Sequence, residues 1–575
     1  MILTRLYELA EREKLLEDPA FEMAPVPFVV KIDRDGAYLG IEDRRATITI
    51  PGKKGPPKTR RDKGRELPVT KAHGNTANPG FARFFADTLA RVLPVSDEAK
   101  SVASRKTFWE QMERAASESG DEALAAACAF GRKIASDSAL AAKLREDVEA
   151  LKPAPGDRCT LAWNPDEGFT ILERDSVRGW WRRFYAAFDE GRQSAGPQGL
   201  CQVTGEYGAI ATVHATKIAG VPGGIASGVS VVSNDKAAFE SYGLEGAANA
   251  GISFRAAEGY TRAIQALVQE KLHRSRIAIG DALFLFWTRQ KCDLDDILGC
   301  LEGNDPALVV KLMQSPLEGQ ESRAADENAF YCLTLSGNSA RAVVRDYLEA
   351  RLPEVKANLR QWFADLRIVG PWGKELVTVF PLWQLAASTA ADSDGIAPGL
   401  SAQLVHAAMK ALPLPDNVLA ACLRRLAARG IDGFTAARLG LIKLILRRKG
   451  VDMGEQLSDA PESAAYVCGR LMAVFERLQW AALGDVNANV VDRFYGTAST
   501  APGLVFPRLF KSAQQHLGKL QADKPGMAVN LQKDLEGLCS QVRAFPGLLS
   551  LTEQGAFALG FYHQRAAYRK GKDNQ

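Results

Sequence analysis

Leu and Ile recur at three- and four-residue spacing over Ser401–Leu412, Asp416–Arg429 and Thr435–Arg448, with Arg on the opposite faces. That pattern predicts three amphipathic helices. Asp416 suits an N-cap, and Gly430 and Gly450 suit helix ends. Four more helices are expected near Glu462–Leu483, Phe506–Lys519, Met527–Arg543 and Thr552–Arg569, and one at the start over Met1–Glu17. Between these ends the period changes. Pro27–Asp43 holds two strand-like runs around Asp35-Gly36, a hairpin signal, and Ala46–Ile50 reads as a third strand. A helix is expected over about Phe81–Leu93, and residues 96–150 read as helical. A β-rich segment begins near Thr160. Then follow a helix over Arg255–Lys271, strands at Asp281–Trp287 and Tyr331–Leu335, and helices at Ser339–Arg351 and Glu354–Leu366. The fold class is therefore α+β: a mixed N-terminal body with β-hairpins, followed by an all-α C-terminal bundle. The expected divisions are 1–150, 151–383, 384–451 and 453–575.

Composition narrows the class. Of 575 residues, 46% are apolar and 24% charged, which excludes a mostly disordered chain, a collagen-like fibre and a disulfide-stapled miniprotein. Nine Cys stand singly with no CxxC pair, so a reduced, cytoplasmic chain is expected. No run approaches the length of a membrane span. Neither a P-loop, nor HExxH, nor a Cys/His zinc spacing occurs, so no cofactor and no metal are expected. Asp293, Asp295 and Asp296 read as the acidic first turn of a helix. The one nucleophile candidate is Cys201 with His214 as base, a Cys-dependent hydrolase reading that needs a hydrogen-bond geometry no sequence supplies.

Charge changes the picture more. The chain carries a formal +4, yet Lys53, Lys54, Lys58, Arg60, Arg61, Lys63 and Arg65 face only Asp62 and Glu66 between residues 53 and 66. That window holds +5 and leaves −1 for everything else. Gly55, Pro56, Pro57 and Gly64 forbid a continuous helix there, so a cationic loop suited to phosphates is expected. Beside it, Lys71 and the loop His73–Gly80 place Asn75, Thr76 and Asn78 where uncharged amides and a hydroxyl can meet base edges; Asn and Thr that satisfy their own backbone explain the same letters. Trp180-Trp-Arg-Arg-Phe-Tyr185 reads as a core helix with Arg reaching to solvent. Lys217–Asn234, bounded by two polar candidates, is dense in glycine, which serves turns or tight contact.

Three blocks resemble a known family. They are Pro27-Phe-Val-Val with Asp35-Gly and Leu39–Asp43; Cys201–Gly208 with Gly220-Val-Pro-Gly223 and Ala238-Phe-Glu-Ser-Tyr-Gly243; and Asp492–Gly496 with Val505–Leu509 and Phe561–Arg565. Together they resemble the large subunit of the type I-C CRISPR surveillance complex, Cascade. The resemblance implies a non-catalytic protein whose partners are a guide crRNA, target double-stranded DNA, the handle-capping, backbone and small subunits, and a helicase-nuclease. It implies recognition of a short protospacer-adjacent motif (PAM) and help in opening the duplex, while base pairing with the guide reads the sequence. Lys71, Asn75, Thr76, Asn78, Lys217 and Asn234 are then the candidates for motif and wedge contacts, and the seven cations of 53–66 for phosphates. It further implies a small subunit made by internal translation, for which Met453 is the candidate start. A purely structural, crRNA-binding assembly subunit is the remaining alternative.

Overall fold

The computed structural model describes the chain apart from residues 1, 17, 51–57, 72–77, 215, 272–274, 293–294, 303–327, 393–394, 458–462 and 571–575. The chain forms two compact units, each assembled from separate stretches: one from Met1–Glu13, His214–Asp235 and Glu258–Gln575, the other from Lys14–Val213 and Lys236–Ala257. The first helix, α1 (Ile2–Arg12), belongs to the larger unit.

The smaller unit is built on a four-stranded sheet. Strands β1 (Phe21–Val26) and β2 (Phe28–Ile32) are followed by β3 (Tyr38–Asp43), β4 (Thr47–Ile50), β5 (Lys58–Arg61), β6 (Arg65–Thr70), β7 (Asp87–Thr88) and β8 (Arg158–Trp163). The sheet order is β3-β2-β8-β7, while β1 pairs with β6 and β4 with β5. The Asp35-Gly36 hairpin forms as expected, with Gly36 at φ +69. An added Cβ on Gly36 would lie 2.3 Å from the Ala126 carbonyl oxygen, so the turn also lets a helix approach. Against this sheet pack α2 (Leu89–Val92), α4 (Glu122–Ser136) and α5 (Ser138–Ala150), while α3 (Ala99–Ser119) packs on α2 and α4 and α6 (Asp175–Ala195) on α3. Phe28, Val30, Phe84, Phe108, Phe130 and Trp181 are buried in one core. Trp180 and Trp181 lie inside it, while Arg182 pairs with Asp18 above the Phe21 ring. That is the core-helix reading of the Trp-Trp-Arg-Arg run. Short strands β9 (Gln198–Leu200) and β10 (Tyr207–Ala209) close the unit.

In the larger unit, which takes up the chain within α7 (Phe254–Val268) at Glu258, follow β11 (Arg276–Ile279) and β12 (Ala282–Thr288), then α8 (Asp295–Glu302), β13 (Ala329–Asn338) and β14 (Arg341–Arg351). These four strands make an antiparallel sheet in sequence order. Helices α9 (Leu352–Leu366), α10 (Leu382–Ala387), α11 (Leu400–Lys410), α12 (Asp416–Arg429), α13 (Ala436–Arg448), α14 (Ala464–Leu483), α15 (Val490–Ala498), α16 (Pro502–Asp523), α17 (Pro525–Cys539) and α18 (Leu551–Lys570) follow. One hydrophobic core includes residues from Ile277 to Ala566, so the sheet and the helical bundle share it.

Two sequence expectations are corrected. Ser339–Arg351 was expected to be a helix, but residues 341–351 form β14. Val343, Val344 and Tyr347 satisfy a strand as well as a helix, and pairing with β13, Leu333 opposite Tyr347, decides. The helix expected over Phe81–Leu93 shrinks to Leu89–Val92. Phe84 and Phe85 are both fully buried with Phe85 at φ +64; successive residues of a helix point about 100° apart and would not share a core so readily.

The tightest helix contact is between α14 and α18. A Cβ on Gly469 would lie 2.0 Å from the Phe557 carbonyl oxygen, and one on Gly560 would lie 2.1 Å from that of Tyr466. Tyr466 Oη is hydrogen-bonded to His563 Nδ1 at 2.8 Å in the same interface. Gly560→Ala is therefore expected to force the helices apart and remove about 3 kcal/mol of stability. A urea midpoint that stays at the parental value would refute this account of the crossing.

Candidate nucleic-acid interface

The cationic segment is anchored at its root. β4 and β5 pair from Thr47–Arg61 to Ile50–Lys58, making a hairpin. Asp62 closes that root: its carboxylate accepts from the Ala46 and Gly64 amides at 2.9 and 2.8 Å. Gly64 sits at φ +82, with an added Cβ only 2.5 Å from Pro27 Cα, so a side chain there would strike the backbone. Lys53 and Lys54 lie outside the described residues, as do the side chains of Lys58 and Arg60. Lys63 is exposed on the turn that follows β5, and Arg65 is exposed where β6 begins. Arg61 is different, because it forms an ion pair with Asp43. Asp43 also receives Arg45 at 2.9 Å, and the hydrogen bond from Arg45, reinforced by the charge of Arg61, holds its carboxyl below the usual carboxylate range. Arg61 thus brings less net charge to a phosphate than its neighbours.

The amide-rich loop falls mostly outside the described residues, with Asn75 and Thr76 among them. Lys71 is half-buried, and its backbone amide donates to the Ala20 carbonyl at 2.9 Å. Asn78 is exposed, yet its Oδ1 accepts from the Gly80 amide at 3.0 Å. This is the local Asx turn that competes with base recognition for the same oxygen; the side-chain NH2 carries no part in that bond.

The glycine-dense stretch meets the tip of the β13–β14 hairpin within the larger unit. The Gly337 amide donates to the Pro222 carbonyl at 2.7 Å, Ile225 to Ser339 at 3.0 Å, and Ser230 to Ala340 at 3.0 Å. An added Cβ on Gly337 would be 2.1 Å from the Gly224 nitrogen, and one on Gly223 would be 2.7 Å from the Gly337 oxygen. The glycines therefore serve backbone-to-backbone packing. Lys217 remains exposed and Asn234 half-buried on the segment so held.

The nucleophile candidates each have partners of their own. Cys201 is buried, and its Sγ accepts from the Ser253 amide at 3.3 Å. Burial raises this thiol, but hydrogen bonds from Ser253 and Thr204 outweigh it and bring the pKa down to about 7. His214 is buried with Nδ1 bound to the Tyr260 hydroxyl at 2.6 Å, and burial lowers its pKa to about 4. A base that holds its ring neutral and has Nδ1 occupied keeps only Nε2 for proton transfer, and Nε2 is buried with no partner among the described residues. Among the described residues no group of three or more His, Cys, Asp or Glu is arranged for a metal ion. Asp295 opens α8, whereas Asp293 lies outside the described residues.

Sequence reasoning missed a second basic and aromatic surface, in the helical bundle. A cavity of about 290 Å³ is lined by Arg477, Trp480, Arg565, Tyr568 and Arg569, with Glu476 and Asp485 on its wall. The Arg477 guanidinium lies 4.7 Å from the Trp480 ring centre, and that of Arg569 lies 4.9 Å from Trp372. These cations are held over the protein's own aromatic faces, and Arg565 is paired with Glu476 at 3.5 Å. Arg477 and Trp480 stand three apart on α14, a legible spacing, but Tyr568 and Arg569 join them only through the α14–α18 crossing.

A family model described as CRISPR-associated protein (Cas_Csd1) matches residues 3–569. No curated protein matches the chain. Among the described residues no helix is long and apolar enough to cross a membrane.

The buried His214 has a measurable consequence. Between pH 4 and 6.5 the unfolded chain binds a proton at this residue that the folded chain does not, so stability falls as the pH is lowered through that window. The expected contribution is on the order of 1 kcal/mol per pH unit. His214→Gln should flatten this part of the stability profile; an unchanged slope would show that His214 is not held neutral.

Proposed function

The chain belongs to this CRISPR-associated family, and from that premise we propose that it is the large, non-catalytic subunit of a type I-C RNA-guided surveillance complex. In this reading it recognises the protospacer-adjacent motif in duplex DNA, helps open the strands for R-loop formation, and offers the docking surface for a helicase-nuclease. The observation that carries the reading is a family match spanning residues 3–569, in a chain whose three resembling blocks occur in the same order.

Division of labour follows from charge. Lys63 and Arg65 are exposed beside a firmly rooted hairpin, which suits contacts that position the duplex without reading it. Lys53, Lys54, Lys58 and Arg60 extend that role, with Arg61 weakened by Asp43. Uncharged amides at Asn75 and Asn78, with Lys71 and Thr76, supply the motif contacts; Lys217 and Asn234 form a second set. Because guide pairing reads the target sequence, the protein needs only a short motif contact, phosphate contacts and a wedge.

Internal translation from Met453 is part of the proposal. The product 453–575 would contain α14 to α18. Gly555 of α18 lies against Leu446 and Ile442 of α13 in the whole chain, so the short product would need another protein to cover that face.

Binding separates these roles. In the complex co-expressed with guide RNA and its partner subunits, Asn75→Ala should relax motif preference, whereas Lys58→Ala should weaken all DNA and reduce the salt slope by about 1. Equal losses on every motif for both variants would refute the division. Met453→Leu should abolish the short C-terminal product in an expression lysate, and its persistence would reject that codon.

A further inference from the structure

Positive charge also collects in the helical bundle. From Asp416 to Lys449 eight Lys and Arg stand against two Asp, and the fold engages half of the eight. Arg447 and Arg448 share Asp365, each at 3.4 Å, Lys449 pairs with Asp416, and Lys443 donates to the Asp365 carbonyl at 2.7 Å. Arg424, Arg425, Arg429 and Arg438 are left, and none of them pairs with a carboxylate among the described residues.

These four belong to one place. Arg425 and Arg429 lie one turn apart on α12, a like-charged pair that costs the helix stability, and Arg424 precedes them on its exposed side. Arg438 of α13 is buried beside them, with Nε on the Ser388 carbonyl at 2.7 Å and a second bond to the Gly433 carbonyl of the turn that follows α12. Burial pulls the pKa of Arg438 down, and the charges of Arg425 and Arg429 act in the same direction. Arg425 Nε is itself buried with no hydrogen-bond partner among the described residues. Two carboxylates stand at the same turn, and each serves another group: Asp432 acts on Arg565, and Asp492 accepts from the Asn489 amide at 3.2 Å where α15 begins. Arg429 lies in the last turn of α12, where a cation favours the helix dipole, but Arg424 and Arg425 stand a turn earlier. The fold thus gathers repelling charges that no ion pair among the described residues offsets.

We propose that Arg424, Arg425 and Arg429 bind the phosphodiester backbone of a nucleic acid. The proposal rests on the nucleic-acid reading above and adds a phosphate-binding surface in the larger unit. The composition of the helix face selects this occupant. α12 exposes Asp416, Asn417, Arg424, Ala427, Ala428 and Arg429 and no large apolar side chain, so it lacks the anchor that a protein partner needs at a hot spot. Beyond the turn, Ile431 is packed on the core and lines the cavity described above with Trp480 and Val486. The short side chains of Ala427 and Ala428 leave room for a phosphate to reach more than one guanidinium, the group whose planar fork matches its oxygens. The phosphates belong to the guide RNA or to the target DNA, and the contact chemistry is the same for both.

The test uses the complex assembled with its guide RNA and partner subunits, with guide binding and DNA binding each followed across a series of salt concentrations. Arg424→Gln should lower the salt slope by about 1 for one of the two nucleic acids, and the combined Arg424→Gln, Arg425→Gln and Arg429→Gln variant by about 2 to 3. The loss should be equal on DNA with and without the motif, as phosphate contacts carry no sequence. The nucleic acid that changes assigns the backbone to the guide or to the target. Arg424→Lys should keep the parental slope, because the charge remains. Arg425→Gln should leave the melting temperature equal or higher, since a repelling neighbour is removed, which separates lost binding from lost folding. Unchanged slopes for both nucleic acids in the combined variant would overturn the assignment. So would loss of a protein subunit from the complex with both slopes at their parental values, the result an acidic protein partner would give. A parental complex that bound neither RNA nor DNA would remove the functional reading itself, whereas intact parental binding matched by the combined variant would remove this surface alone.

Discussion

In the larger unit, backbones meet at distances that only glycine permits. Gly337 at the tip of the β13–β14 hairpin lies so close to Gly223 and Gly224 that a methyl group on any of the three would overlap main-chain atoms or a side chain. The segment 214–234 is threaded against that tip by hydrogen bonds at Pro222, Ile225 and Ser230. The presentation of Lys217 and Asn234 depends on this contact. The same constraint recurs where α14 meets α18, and there it sets the spacing of the helical bundle and brings Tyr568 and Arg569 beside Arg477 and Trp480. Glycine is often associated with freedom, but here its lack of a side chain is used for fixed, close approach.

The polar candidates divide accordingly into residues already engaged and residues presented. Arg61 is held by Asp43, Asn78 turns one end of its amide to its own backbone, and His214 is bound to Tyr260 inside the fold. Lys63, Arg65 and Lys217 are exposed on segments whose roots are firmly bonded. Such placement favours electrostatic positioning of a polyanion, because the cations need no ordering of the backbone beneath them when they bind. Catalysis makes the opposite demand: a base with a matched pKa within reach of its proton. His214, neutral and with one nitrogen committed, does not meet that description.

Legibility of the sequence tracked the range of the interactions involved. The helices expected from Ser401 onward were readable to within a few residues, since a 3.6-residue period is a local property, but α15 (Val490–Ala498) was missed. Asp416–Arg429 has the expected bounds, with Pro415 and not Asp416 at its N-cap. The Asp35-Gly36 turn was readable for the same reason. Residues 341–351 were not, because Val343, Val344 and Tyr347 fit either period and the partner strand β13 made the choice. Phe84 and Phe85 broke the expected helix by both entering the core. At the candidate interface the excess of positive charge was readable from the chain, but the neutralisation of Arg61 came from Asp43, eighteen positions away.

By itself, then, the sequence determined the fold class, the ordering of the bundle helices, the placement of the cationic segment and the three blocks that resemble a single family. Each of these is written in neighbouring residues, where spacing and composition act directly. Only the tertiary structure decided that the dense glycines are contact points between backbones, that the bundle contains a cationic and aromatic cavity, and that Arg424, Arg425 and Arg429 have no carboxylate partner among the described residues. The reason is physical: exposure, ion pairing and close approach belong to pairs of residues brought together by folding, and no single stretch of chain contains both members.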